Sequence, residues 1–255
     1  MRILITNDDG IDSAGILALA EAAAERGHEV LISAPESQCS ANSQHITLRT
    51  PILTKRRTDG CFAGMEAYAV SGTPADCVRI SGALFEGKKP ELCLSGVNNG
   101  ENAGSGIYYS GTFAAAREAA MMYIPAFAVS IRAKAGREAL YAAARHAVEV
   151  CGKMAGMALP RMTVVNLNYP RETPEEWRRM VLCPQSTAFF VDNYIPVSDP
   201  RGERLFWLAP EETIEPPEEG SDLWYLRHAT PTCTLIGGLV DHNGGYAAKM
   251  QEILQ

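Results

Sequence analysis

Short apolar runs alternate with amphipathic segments along the first 170 residues of the chain. Ile3 to Thr6 form the first run, and Ala14 to Arg26 follow with Ile16, Leu17, Leu19, Ala20, Ala23 and Ala24 at helical spacing, stopped by Gly27. His28 to Ala34 predict a second strand, with Pro35 opening a loop. A strand, a helix and a strand in that order form a parallel pair with a right-handed crossover. The rhythm continues. Ala67 to Ser71 predict a strand, and "GTPADCVRISGAL" a helix with Thr73 as N-cap and Pro74 in its first position. "ELCLSG" predicts a strand, "TFAAAREAAMMY" a helix, "AFAVSI" a strand, Arg137 to Ala155 a long helix and Met162 to Leu167 one more strand. The expected fold class is α/β, a doubly wound, mostly parallel, Rossmann-like sheet.

Two stretches break the pattern. Residues from about 38 to 64 are polar, with strand-like "HITLRTPIL" among them, and predict an arm inserted into the core. Beyond Pro170, "PEEWRRMVLCPQ", "ERLFWL" and "DLWYLRHATPTCTLIGG" predict longer, partly antiparallel strands, joined by the acidic, proline-rich loop "APEETIEPPEEGSD". A last helical piece, Tyr246 to Leu254, is too short to stand alone. The expected organisation is a core over 1–170 and a C-terminal extension over 171–255. The extension carries more apolar surface than a small appendage covers by itself, so self-association is expected through it.

Composition narrows the class. With 46% hydrophobic and 21% charged residues the chain is neither disordered nor fibrous. No apolar run approaches the roughly 20 residues that cross a bilayer, and the N-terminus predicts a strand rather than a signal peptide, so a cytoplasmic protein with no membrane partner is expected. A net charge of -7 argues against a polymeric nucleic-acid partner, which calls for a basic face. Seven cysteines, odd in number and without a CxxC pair, predict free thiols. Only Cys39 falls in a polar loop.

Ligands of an open parallel sheet collect outside the carboxyl ends of its strands. Three of those ends are polar here: "TNDDG", "APESQCSANS" and "SGVNNGENAG". They bring two adjacent carboxylates, Asp8 and Asp9, with hydroxyls and amides, and no Lys or Arg. Such hard oxygen donors suit Mg²⁺, Mn²⁺ or Ca²⁺, whereas Zn²⁺ calls for His or Cys. Turn chemistry and helix capping account equally for "DDG" on its own. No GxGxxG follows the first strand, and the glycine-rich run has no GK[ST]. Ser110, Gly111 and Thr112 open the next helix, where free backbone N–H groups favour an anion, and where a simple N-cap would explain Ser110 as well.

Five ordered blocks, "ILITNDDGIDSAGI", "APESQCSANSQHITL", "SGTPADCVRI", "LSGVNNGENAG" and "YYSGTFAAAREA", resemble the SurE family of metal-dependent 5'/3'-nucleotidases. The resemblance implies one divalent cation, Mg²⁺ or Mn²⁺, held by Asp8, Asp9, Ser40 and Asn98. It implies Asn7, Asn102, Ser110, Gly111 and Thr112 near the phosphate, with Asp8, Asp9 and Asn98 as the catalytic set. Nucleoside monophosphates are the implied substrates, and dimers or tetramers exchanging C-terminal segments the implied assembly. The chain departs from the family's usual pattern in three places: Cys39 stands where a basic residue is usual, Asn99 where Arg is usual, and the pair Ser43 and Gln44 where Gly and His are usual, with His45 one place later.

The mechanism so implied is hydrolysis by a metal-activated water. An aspartyl-phosphate route is the enzymatic alternative, although it usually presents carboxylates separated by one residue. A non-catalytic metal or nucleotide sensor, or a phosphatase acting on another small ester or short polyphosphate, is the alternative by function. Of the histidines only His45 neighbours the site in sequence. His28, His146 and His242 predict a strand start, a helix face and a loop.

Overall fold

The structure is a computed structural model that describes residues 1–237 except 155, 158, 178, 192 and 210–212. In chain order it contains β1 (Arg2–Thr6), α1 (Ala14–Glu25), β2 (Glu29–Pro35), β3 (Thr54–Arg57), β4 (Glu66–Val70), α2 (Pro74–Leu84) and β5 (Leu92–Asn99). α3 (Gly111–Met121), β6 (Ala126–Ile131), α4 (Arg137–Met154) and β7 (Val164–Tyr169) complete the alternating part. The C-terminal part holds β8 (Val181–Leu182), β9 (Phe190–Val191), β10 (Tyr194–Ser198), β11 (Arg204–Leu208), β12 (Thr213–Ile214), α5 (Asp222–Arg227) and β13 (Thr232–Ile236). The expected α/β class and the strand–helix alternation are therefore present.

The main sheet runs β3-β4-β2-β1-β5-β6-β7-β13-β8. From β4 to β7 every pairing is parallel. Both faces of these strands are covered, which is why they are nearly continuous apolar runs. In β1, Ile3 and Ile5 join the core under α1 and α4, while Leu4 turns to the opposite core with Val78 of α2 and Phe113 of α3. Alanines line the contact faces of α1 and α4 (Ala18, Ala22, Ala23, Ala143, Ala144, Ala147), so the two helices share one tight layer. Chain order reverses between β1 and β5, and the crevice outside their carboxyl ends is where such sheets hold ligands.

The arm differs from its expectation. Its strand is Thr54–Arg57, downstream of "HITL", and it pairs antiparallel with β4 at the sheet edge. Lys55 and Arg57 blunt that edge by pairing with Glu36, Asp12 and Asp59. The segment expected to be one long strand, "DLWYLRHATPTCTLIGG", folds as α5 followed by β13. β13 pairs antiparallel with β7 and parallel with β8, so the C-terminal part completes the main sheet. Only the ribbon β10–β11 and the short pair β9–β12 form sheets of their own among the described residues. The terminal helix expected at Tyr246 to Leu254, and His242, lie outside the described residues.

Thr73 and Asp76 cap α2 reciprocally, Thr73 Oγ1 accepting from the Asp76 N–H at 3.2 Å and Asp76 from the Thr73 N–H at 2.9 Å. Asp76 also accepts from the Thr47 hydroxyl at 2.6 Å and from the Thr47 N–H, which ties the arm to the cap. Burial pushes the Asp76 carboxyl up, but hydrogen bonds from Thr47 and Thr73 together hold it below its ordinary value of 3.8. Its stabilisation is complete above that value and is lost as the pH falls through the lower folded one. Asp76→Ala is expected to cost about 1–3 kcal/mol at neutral pH. Urea unfolding at pH 7 and in acid checks this, with the difference from wild type shrinking in acid.

Candidate active site

β1 delivers the carboxylates through a turn that the chain holds from within. Asn7 is wholly buried, and its Nδ2 donates to the Gly10 carbonyl at 2.9 Å and to Ser13 Oγ at 2.7 Å. Ser13 is the N-cap of α1, so one amide ties the end of the strand to the start of the helix. Gly10 takes a φ of +99°, a conformation open to glycine, and the Ile11 N–H closes on the Pro35 carbonyl at the end of β2. Asn7 thus stands behind the carboxylate pair, its donor committed to the turn.

Asp8 is buried against the first turn of α3 and accepts the Thr112 hydroxyl. A Cβ on Gly111 would stand 2.7 Å from the Asp8 Cβ and 2.9 Å from its Oδ2, so only glycine admits the carboxylate this close to the helix. Ser110 caps α3 with its hydroxyl on the Phe113 N–H at 3.0 Å. The structure therefore gathers Asp8, Ser110, Gly111 and Thr112 across 104 residues of sequence separation. The free N–H groups that open a helix make this end receptive to negative charge.

β5 brings Asn98 to the same crevice. Its Nδ2 donates to the Gly100 carbonyl at 2.7 Å, which leaves Oδ1 as the end available to a ligand. The peptide between Gly96 and Val97 is cis, and a Cβ on Gly15 would lie 1.9 Å from the Val97 carbonyl oxygen. α1 and β5 approach each other through that missing side chain.

The loop after β5 is pinned from the far side of the sheet. Asn102 gives its Nδ2 to Ser130 Oγ at 2.8 Å and its N–H to Asn168 Oδ1 at 2.9 Å, while its carbonyl receives the amides of Asn166 and Asn168. Asn102 is accordingly the loop's anchor, its amide turned to β6. Further along, the Gly104 N–H donates to Asp222 at 3.0 Å, Gln185 reaches the Gly104 carbonyl, and Ser105 Oγ donates to the Ala188 carbonyl. Burial raises the Asp222 carboxyl, and the N–H groups of Gly104, Ser186 and Leu223 pull it back. Asn166, Asn168, Ser130 and Asp222 escape a sequence reading. Their one local signal was two asparagines in an otherwise apolar strand, "VVNLNY".

The arm forms the remaining wall. The Cys39 N–H donates to the Asp8 carbonyl at 2.7 Å, and Ser40, the next residue, is exposed, its hydroxyl accepting from Gln38. Burial, and after it the Asp8 charge, raises the Cys39 thiol above its ordinary value. Gln44 lies between Arg117, whose Nε donates to its Oε1 at 2.6 Å, and buried Glu118, which accepts from its Nε2 at 2.7 Å. Glu118 is also paired with Arg79 at 2.7 Å. Asn99 exchanges its amide with the backbone of Ala135. His45 is exposed, and its carbonyl accepts from Thr73.

The electrostatics of the pair are one-sided. Burial raises both carboxyls above their ordinary values, with Asp9 adding to the rise at Asp8 and the Asn99 backbone N–H offsetting it at Asp9. None of the eleven ion pairs among the described residues includes either. A buried carboxylate, a half-buried one, an amide oxygen and a hydroxyl are donors of the kind a hard divalent cation takes, and no group of three or more His, Cys, Asp and Glu gathers among the described residues to suit a softer one. The cavity of about 390 Å³ lined by His146 and Trp177 contains none of these residues.

Comparison with known proteins identifies relatives of the chain. Residues 3–192 match the family model described as "Survival protein SurE". A protein of Solidesulfovibrio magneticus named 5'-nucleotidase SurE is 41% identical over 219 residues, 85% of this chain and 84% of the relative. One of the same name from Desulfovibrio desulfuricans is 38% identical over 261 residues, 99% of each chain. The crystal structure of the SurE protein from Aquifex aeolicus superposes with a TM-score of 0.81 at 32% identity, covering 99% of this chain and all of that one. With a family model spanning three strand ends, and relatives alike over most of its length, the chain belongs to the SurE family.

Proposed function

We propose that the protein is a metal-dependent 5'-nucleotidase, a phosphomonoesterase that hydrolyses nucleoside 5'-monophosphates, and 3'-monophosphates with them, to nucleoside and phosphate. The observation that carries this reading is the uncompensated pair of buried Asp8 and half-buried Asp9 at the start of α3. The curated name of its relatives supports it. Asp8, Asp9, Ser40 Oγ and Asn98 Oδ1 would hold one divalent cation, Mg²⁺ or Mn²⁺. Bound there, it supplies polarisation of the phosphoryl group and a lowered pKa for water held beside it.

The chain's own residues do the rest. The backbone N–H groups of Gly111 and Thr112 donate to the phosphoryl oxygens as charge grows on them. Ser110 fixes that turn through the cap on Phe113. Asp9, half-buried and free of any ion pair among the described residues, accepts the proton of the attacking water. Asp8 is oriented by Thr112 and so serves as ligand. Asn7 and Asn102 enter this proposal as positioning residues, one holding the turn after β1 and the other the loop after β5. No helix among the described residues is long and apolar enough to cross a membrane. All seven cysteines are free, in keeping with a reducing cytoplasm.

Self-association belongs to the same proposal, on different grounds from the sequence. Leu223, Leu226 and Cys233 of the expected apolar tail are buried within the chain. The ribbon β10–β11 instead exposes Tyr194, Ile195, Leu205, Phe206, Trp207 and Leu208 together. A two-stranded ribbon so apolar is marginal in water, and a second copy of the chain is its proposed cover.

Turnover of a nucleoside monophosphate with Mn²⁺ or Mg²⁺ that vanishes with EDTA is the expected result, and binding without turnover would instead favour a sensor. Asp9→Asn is expected to lower metal-dependent kcat/KM by at least about a hundredfold while far-UV circular dichroism stays unchanged. Gly111→Ala, which pushes Asp8 from its place, is expected to cost about a hundredfold through misplacement alone. Light scattering should give at least twice the chain mass for wild type, and a smaller species for Trp207→Glu with Phe206→Glu.

A further inference from the structure

Two large aromatic side chains stand immediately before the turn that receives the phosphate. Tyr108 and Tyr109 are 61% and 52% exposed, although Ile107 before them is in the core and Ser110 after them is buried. Several other tyrosines have a group against the ring: Tyr169 packs between His146 and Trp177, and Tyr123, although 70% exposed, has the Arg161 guanidinium at 4.4 Å. Neither Tyr108 nor Tyr109 has such cover among the described residues.

Their exposure is not that of a loose loop. The Tyr109 N–H donates to the Gly106 carbonyl at 3.2 Å, closing the short helical turn Gly104–Tyr108. From the opposite wall, Ser43 of the arm donates its hydroxyl to the Tyr108 carbonyl at 2.8 Å and its N–H to the Tyr109 carbonyl at 3.1 Å. Below, Asp222, Gln185 and the Ala188 carbonyl hold Gly104 and Ser105. A backbone clamped on both sides presents two rings to solvent at fixed positions, one and two residues from the N-cap of α3.

We infer that Tyr108 and Tyr109 form the subsite for the nucleobase, with an aromatic ring stacking on the base while the phosphate lies at the start of α3. The inference rests on the nucleotidase reading of that site. A nucleotide carries its base one sugar away from its phosphate, and a tyrosyl side chain rooted one or two residues before the phosphate turn spans a comparable reach. Stacking uses the π-face that every base has, so the subsite accepts purines and pyrimidines alike and separates nucleotides from phosphate esters without a base. Selectivity by ring contact also needs no cation, in keeping with amides at Gln44 and Asn99 that are engaged elsewhere.

The test compares AMP and UMP with ribose 5-phosphate in wild type, in Tyr108→Ala with Tyr109→Ala, and in the corresponding double Phe variant, at saturating Mn²⁺. The double Ala variant should lose about tenfold or more in kcat/KM for both nucleotides, mostly as a higher KM, with the fall confined to them. The Phe variant, which keeps the rings, should retain the preference. An equal fall for ribose 5-phosphate, or a smaller assembly by light scattering, would assign the tyrosines to scaffold or subunit contact and overturn the inference. Calorimetric binding of AMP in the presence of Ca²⁺ reads the stacking without turnover, and unchanged affinity in the double Ala variant overturns it too. Wild type that turns over none of the three esters would sink the nucleotidase reading itself, leaving the calorimetry to judge the subsite.

Discussion

Two carboxylates at the end of a buried strand repel each other and lose hydration, and much of the surrounding structure serves to keep them there. Asp8 and Asp9 are both pushed toward the neutral form by burial, and among the described residues no Lys or Arg is brought to them. What holds Asp8 is a hydroxyl from Thr112 and the empty space above Gly111. A cationic side chain in the same place would relax the pair and also fill the position that a divalent ion needs. The unrelieved charge is the feature that distinguishes the crevice from a packed turn.

That constraint explains why small residues recur where elements meet around the crevice. Gly111 lets α3 approach Asp8, Gly15 lets α1 approach the Val97 carbonyl, and Gly96, at a φ of +137°, would place a Cβ 2.1 Å from the Val129 carbonyl of the next strand. Each is a close approach of backbone to backbone or to a carboxylate. Together they bring β1, β5 and α3 to one crevice.

The alternating strands and helices up to Tyr169 were legible because each buries its own stripe, which is a local property of the sequence. The α2 cap at Thr73 and Pro74 was legible for the same reason. The carboxyl ends of β1 and β5 could be recognised as a site, since their residue types are out of place in a core. What was not legible depends on partners distant in sequence. Asp222 supports Gly104 across 118 residues, and nothing around "SDLWYL" announces it. The strand in the arm was misplaced because "HITL" has the right composition, yet Thr47 is drawn to the α2 cap and only Thr54–Arg57 reaches the edge of β4. The C-terminal segment looked like an appendage because pairing of β13 with β7 leaves no mark on local periodicity.

The three departures from the family's usual residues are understandable in the same terms. Gln44 bridges Arg117 and Glu118, so a positive charge absent from its own side chain stands next to it on Arg117, while Glu118 is paired with Arg79. Asn99 braces the loop at Ala135 and offers its backbone N–H to Asp9. Arg132, the residue after β6, is paired with Glu101 of that loop at 3.5 Å. Of these cations, Arg79 and Arg132 are engaged with carboxylates other than Asp8 and Asp9, and Arg117 with the Gln44 amide. Because the arm is fastened to Asp8 through Cys39, to the tyrosine turn through Ser43 and to the α2 cap through Thr47, these neutral side chains help position the wall that closes over the site. In the proposed nucleotidase, charge on the substrate phosphate would then be left to the cation and to the helix start, with the arm contributing shape.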